Sequence, residues 1–298
     1  MRLTARSLLP ALFVIALTAA TGCAPQETSS TDTSSTDTSS AGASASASSC
    51  DKGGPATQVK GKLTVGTDKP AYAPWFVDDD PASGKGFESA VAYSVAKALG
   101  YEKDQVVWQT VPFNNAFAPG EKNFDFDINQ VSISAERKQA VDFSSGYYEV
   151  RQAVVALKKS PYAKATSGAD LKGAKLGAQV GTTSLDTINE VIKPSQRPAV
   201  FQKNDFAKSA LRNGQVDAIV VDLPTAFYIT SAEVPDARIV GQFADAGSAA
   251  EQFGLVLDKG SALTACVTRA VDGLREDGTL AALEKQWLSD AVDAPVLK

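Results

Sequence analysis

Between Phe124 and Tyr148 the chain reads F-D-F-D-I-N-Q-V-S-I-S-A-E-R-K-Q-A-V-D-F-S-S-G-Y-Y. Phe124, Phe126 and Ile128 alternate with polar residues, the period of a strand. Its C-terminal end would deliver Gln130 and Ser132, with backbone groups free to bond a ligand, to the crevice where open α/β sheets hold small molecules. Arg137 follows one short turn later. Its planar guanidinium carries fixed donors that suit a carboxylate, bound bidentately, better than any other side chain does. Two further groups stand at the junction of a strand and a helix. Gly181-Thr182-Thr183-Ser184 opens a helix, and Thr183 with Asp186 three residues on makes a capping box. Asp222 ends the apolar run A-I-V-V and precedes Leu223-Pro224, which by itself reads as an N-cap before a helix opened by proline. The chain contains no histidine. A Ser-His nucleophile, a histidine proton shuttle and a histidine-containing zinc site are therefore excluded.

The segment Ile133-Ser134-Ala135-Glu136-Arg137, followed by Val141-Asp142-Phe143-Ser144 and Tyr147-Tyr148, resembles the bacterial extracellular solute-binding proteins of the polar amino acid family. Members of that family hand amino acids to membrane ABC transporters. The match departs from the common pattern at Ala135, Gly146 and Asn129-Gln130. The resemblance covers roughly residues 61–290 and implies a two-lobed α/β clamshell of the periplasmic-binding-protein type, with two hinge crossings and the ligand between the lobes. It implies that Arg137 takes the α-carboxylate of an amino acid. Gly181-Thr182-Thr183 would form an anion site at a helix start opposite it, a role compatible with capping. Asp222, in D-A-x-x-x-D from Asp217, would take the ammonium. Tyr72 and Phe113 match the aromatics that sandwich the ligand, with Trp75 as the alternative to Tyr72. Asp68 and Gln179, with Asn114 nearby, resemble the side-chain selectors, although Asp68 could instead bond local backbone amides. An acceptor-rich pocket with one unpaired carboxylate favours a neutral polar or cationic amino acid over a second acid.

The ends of the chain speak to location. Arg2 and Arg6 precede an apolar run over residues 8–20, too short for a membrane span and placed as a secretory leader. Ala20-Thr21-Gly22-Cys23 looks like a lipobox, so residues 1–22 are expected to be a signal peptide and Cys23 the lipid-bearing first residue. Residues 23–50 then form a Ser/Thr-rich tether with T-D-T-S-S repeated. It is too polar to offset its ordering entropy, and as a coil it reaches about 30 Å. The product would be exported and lipid-anchored at the outer face of the cell membrane.

Three cysteines are present. With Cys23 assigned to lipid, Cys50 and Cys266 form an even pair in an exported domain and are expected to be a disulfide. The formal net charge is −5 and becomes more negative once the leader is lost. No Lys/Arg cluster suggests nucleic acid as a partner. The run Asp78-Asp79-Asp80 lacks the spacing of a calcium loop and reads as a solvated turn. Neither a metal nor a cofactor is expected, and the folded part should be a monomer.

Positioning these residues requires alternating strands and helices. Strands are expected over residues 62–67, 106–111, 124–129, 175–178, 200–201, 218–221 and 253–257, with an extended segment over 147–157. Helices are expected over 87–99, 184–192, 205–213, 263–275 and 280–287. The first lobe would comprise residues 51–156 and the second 157–247, with 248–298 returning to the first. Crossings are expected near 153–157 and 247–253. A single dinucleotide-binding domain is disfavoured because no G-x-G-x-x-G follows the first strand. The function expected is the binding component of an ABC importer that performs no chemistry. The alternative is an enzyme on the same scaffold, similar to cyclohexadienyl or arogenate dehydratases, whose acid or base would have to be Asp or Glu.

Overall fold

The computed structural model describes Cys50 and residues 54–244, 250–288 and 294–298. The leader, Cys23 and the tether as far as residue 49 lie outside these residues, as does most of the stretch joining the lobes for the second time. Among the described residues no helix is long and apolar enough to cross a membrane.

The first lobe begins with β1 (Leu63–Thr67), α1 (Phe87–Ala98), β2 (Val106–Thr110), a single turn α2 (Phe113–Ala116), β3 (Phe126–Asp127), the turn α3 (Arg137–Ala140) and β4 (Val141–Val150). The second comprises β5 (Gln152–Leu157), β6 (Leu176–Gln179), α4 (Thr183–Asp186), β7 (Ala199–Phe201), α5 (Asn204–Arg212), β8 (Ala218–Asp222), α6 (Leu223–Tyr228) and β9 (Ala237–Phe243). The chain then returns through β10 (Glu251–Asp258), α7 (Thr264–Glu276) and α8 (Thr279–Leu288), and closes with β11 (Val296–Leu297). One sheet has the order β2-β1-β3-β10-β4 and the other β11-β9-β5-β8-β6-β7. The architecture is the two-lobed α/β clamshell, with parallel pairs β1–β2 and β1–β3 in one lobe and β6–β7 and β6–β8 in the other.

Apolar periodicity explains the layers. Phe87, Val91 and Val95 on α1 pack with Leu63, Val65, Phe253 and Leu255 of the first sheet in one buried cluster. Cys50 is bonded to Cys266 of α7, pinning the start of the described domain to a helix of this same core. Expecting the first crossing at 153–157 is corrected by β5. Ala153, Val155 and Leu157 enter one core of the second lobe and Val154 and Ala156 the other. An apolar run with both faces to bury becomes a central strand and cannot stay an open linker, so the chain changes lobe at Arg151, between β4 and β5, not at residues 156 and 157.

The tail also departs from expectation. Residues 294–298 belong to the second sheet and not to the first lobe: Val296 and Leu297 pair with Gln242 and Phe243, and the Gln242 side-chain amide donates to the Ala294 carbonyl at 2.7 Å. The β9 strand was not foreseen. The strand expected over 124–129 shortens to β3, because at Gln130 the backbone turns to φ +50° and leaves the ladder. The helix expected over 184–192 starts as α4 and continues through wider turns to Ile192, where Lys193 at φ +53° ends it.

Candidate functional site

Ten of the expected cleft residues line one cavity between the lobes: Asp68, Tyr72, Phe113, Gln130, Ser132 and Arg137 from the first, with Gln179, Thr182, Thr183 and Asp222 from the second; Gly181 and Asn114 line an adjoining depression instead. Asn129 and Asn204 complete its lining. The first-lobe residues sit at strand ends and the turns beyond them, and the second-lobe residues at the C-terminal ends of β6 and β8, where open α/β sheets present ligand sites.

Arg137 opens α3, and Ser134 Oγ accepts its backbone N–H at 3.1 Å. Its guanidinium crosses the cleft, with Nη1 donating to the Ser132 carbonyl at 2.6 Å and Nη2 to the Gly181 carbonyl at 2.8 Å. It also lies over the Phe117 ring at 4.4 Å from the centroid. Burial lowers its pKa, while Asp186, Glu251 and Asp222 oppose that shift. Two of its donors are used by carbonyls, so others remain for a carboxylate.

Gly181 explains the turn it faces. It has φ +74°, and a Cβ there would lie 2.1 Å from Asn114 Oδ1 of the opposite lobe. Only glycine allows both the left-handed backbone and that approach. The capping residue of α4 is Thr182 and not Thr183: Thr182 Oγ1 accepts the Leu185 N–H at 3.2 Å. The first turn begins one residue earlier than the capping-box reading placed it, which frees the Thr183 hydroxyl. That hydroxyl lies 3.4 Å from Ser132 Oγ and accepts from Gln152 Nε2 at 3.3 Å.

Asp222 stands at the N-cap position of α6, but its carboxylate makes no capping bond. Oδ1 accepts from Gln152 Nε2 at 2.8 Å instead. Burial, and then the charge of Glu251, push its carboxyl up to about 7. A cation delivered beside it would relieve that penalty. Gln152 and Glu251 flank the two crossings and were not foreseen. Gln152 Oε1 accepts from Ser184 Oγ at 2.6 Å, and Glu251 Oε1 accepts from Ser132 Oγ at 2.5 Å. The signal for Gln152 was a polar residue heading an otherwise apolar run.

Asp68 accepts one local amide, the Lys69 N–H at 2.6 Å, and one distant in the chain, the Phe113 N–H at 3.2 Å. It thus fixes the start of α2 while lining the cavity. Tyr72 lines the cavity with the Lys208 ammonium 5.0 Å from its ring centroid. Trp75 is a core residue, packed on Phe87, Tyr148 and Phe253, whose indole N–H donates across to Thr225 Oγ1 at 3.0 Å. Asp79 and Asp80 accept the Ala71 and Ala82 amides at 2.7 and 3.0 Å, as turn residues do. Among the described residues no cluster of three or more His, Cys, Asp or Glu side chains could hold a metal ion.

Two further first-lobe residues escaped the sequence reading. Asn129 is buried at the cavity, and its Nδ2 has no partner among the described residues. Glu88 on α1 is fully buried behind Gln130; a carboxylate within the apolar face formed by Phe87, Val91 and Val95 was the available signal.

The geometry agrees with what the chain resembles. The L-cystine-binding protein TcyJ of Escherichia coli is 29% identical over 230 residues, spanning 76% of this chain and 83% of TcyJ. The ABC transporter glutamine-binding protein GlnH of Bacillus subtilis is 29% identical over 217 residues, spanning 71% of this chain and 76% of GlnH. Among solved structures, an ancestral arginine-binding protein bound to glutamine superposes with a TM-score of 0.64 at 30% identity, covering 77% of this chain and 98% of that one. The family model for bacterial extracellular solute-binding proteins, family 3, matches residues 63–290. On that match, and with the clamshell and its cleft in place, the chain belongs to the bacterial extracellular solute-binding proteins, family 3.

Proposed function

We propose that this protein is the substrate-binding component of an ABC importer, held at the outer face of the cell membrane by lipid on Cys23, which encloses an amino acid zwitterion and presents it to a permease. The observation that carries the reading is that Arg137 and Asp222, from opposite lobes, line one cavity. A zwitterion can be buried only if both its charges find partners. Arg137 and the amides at the start of α4 take the carboxylate. Asp222 takes the ammonium, and Tyr72 and Phe113 exclude water from both pairs. Relatives named for cystine and glutamine support an amino acid as the ligand. Asp68, which lines the cavity together with Gln179 and Asn129, selects a neutral polar or cationic side chain over an acid. Binding involves no chemistry, and lobe closure on the ligand is what the permease reads.

A thermal-shift screen of the purified protein against the protein amino acids and related betaines tests this, because a tight ligand raises the melting temperature by mass action. No shift with any of them would overturn the reading. Glutamate outcompeting glutamine, arginine and lysine would overturn the selectivity alone. Turnover of a prephenate-like acid would move the protein to the enzyme class. Recovery of the mature protein free in the medium with an unmodified N-terminus would remove the anchor.

A further inference from the structure

Glu88 lies on α1 beside Phe87, with no exposed surface. A carboxylate so placed persists as a charge only if donors surround it. Three converge on it: the Gln130 main-chain N–H reaches Oε1 at 2.7 Å, the Gln130 side-chain amide reaches Oε2, and the Tyr147 hydroxyl reaches Oε1. Two of these donors come from one residue, and that residue has the unusual backbone in the cleft. Gln130 lines the cavity at φ +50°. A residue with a Cβ reaches that region at a cost and stays there only when its surroundings hold it. The planar trans peptide adds a second consequence: directing the Gln130 N–H at α1 turns the Asn129 carbonyl to the opposite side.

We propose that Glu88 is a positioning residue for the cleft, its buried carboxylate clamping Gln130 in the left-handed conformation and so setting the part of the first-lobe wall that meets the ligand. Glu88 itself is not among the residues lining the cavity, so it acts through Gln130. The assignment rests on the cavity being the amino acid site.

The test uses the full chain and two probes, L-glutamine and L-arginine, titrated by calorimetry. Glycine reaches positive φ without steric cost, so Gln130→Gly lets the backbone return to the wall geometry when the clamp is gone. Glu88→Ala is expected to weaken binding of the preferred probe about tenfold, and Glu88→Ala/Gln130→Gly to recover most of that loss. Native-like binding by Glu88→Ala, or a double variant no better than the single, overturns the proposal. A merely structural role would lower the melting temperature of both variants with no recovery of affinity. Where Glu88→Ala fails to fold, Glu88→Gln takes its place, since an amide of the same shape cannot accept from both Gln130 donors without turning its own NH2 towards one. A ligand-free arm reads the clamp alone. The Gln130 amide proton, bonded to a carboxylate, is expected far downfield in the NMR spectrum and should move upfield in Glu88→Gln; an unmoved resonance overturns the proposal. A moved resonance in a protein that binds neither probe supports the clamp and counts against the amino acid reading only.

Discussion

The second-lobe wall of the cleft is made from the ends of regular elements, whereas the first-lobe wall, apart from Phe113 and Arg137 at the starts of α2 and α3, is made from chain that has left them. Gln179 ends β6 and Asp222 ends β8, so the ladders of the second sheet hold both in place, and Thr182 is fixed by its own bonds to Gln179 and to the first turn of α4. Across the cleft, β3 ends at Asp127, and the next residues run irregularly to α3. There single backbone bonds tie Val131 and Ile133 to β10, and remote side chains add to them: Glu88 accepts from Gln130, Glu251 from Ser132, and Asp68 from the Phe113 amide. Backbone ladders fix position through many cooperating bonds. Single side-chain bonds concentrate part of the same task in a few carboxylates, of which Glu88 is fully buried, and this makes the first wall the more sensitive to one substitution.

The largest effects should come from charges on either side of that divide. Arg137→Met and Asp222→Ala are each expected to weaken ligand binding by about 2 to 5 kcal/mol, because each strands one ligand charge in a closed cleft. Calorimetry checks this; unchanged affinity in either variant, with the fold intact, removes that residue from the site. Next comes the point where the walls touch. Gly181→Ala should cost about 2 kcal/mol of binding, since a Cβ at φ +74° must also displace Asn114 Oδ1. Pairing it with Asn114→Ala should return the steric part and leave the backbone part, and full recovery would show that φ is not the constraint.

A smaller effect separates stability from binding by pH. The carboxyls of Asp222 and Glu88 are both pushed up to about 7, chiefly by burial. In the unfolded chain they titrate near 4, so between about pH 4 and 7 the folded protein holds more protons, and through these groups its ligand-free stability falls as pH rises. No histidine is present to add another titration in that window. Binding an ammonium needs Asp222 ionised, so affinity should move the other way and weaken on acidification below about pH 7, by up to about tenfold per unit. Melting curves and titrations across that range should therefore slope oppositely. Parallel slopes would exclude Asp222 as the ammonium partner. The smallest effect tests the regular wall by itself: Thr182→Ala removes the α4 cap and should lower stability by about 1 kcal/mol, measured by denaturant unfolding, with a lesser effect on affinity than Gly181→Ala.

How much was legible in the sequence follows the same division. The α1 helix was readable because Phe87, Val91 and Val95 repeat on one face, and the residues at the ends of β6 and β8 because a short apolar strand followed by Gly-Thr-Thr or Asp-Leu-Pro is a local pattern. The Cys50–Cys266 bond was readable from cysteine arithmetic. Gln152, Glu251 and Glu88 were not placed, because each acts on a residue more than thirty positions away in the chain, and no local period records such a bond. The β11 strand was missed for a related reason, since a strand of two residues exists only by pairing with β9.

The sequence by itself determined the layers, the disulfide partners once Cys23 is set aside, and the types of group that could meet a zwitterion, because apolar period, cysteine count and side-chain chemistry are read without knowing which segments meet. Tertiary structure alone decided where the chain changes lobe, that Thr182 and not Thr183 caps α4, and that Gln130 stands in a left-handed conformation behind which Glu88 is buried. Those outcomes turn on competition for burial and for hydrogen-bond partners between segments far apart in the chain, and that competition is settled only when both lobes have folded.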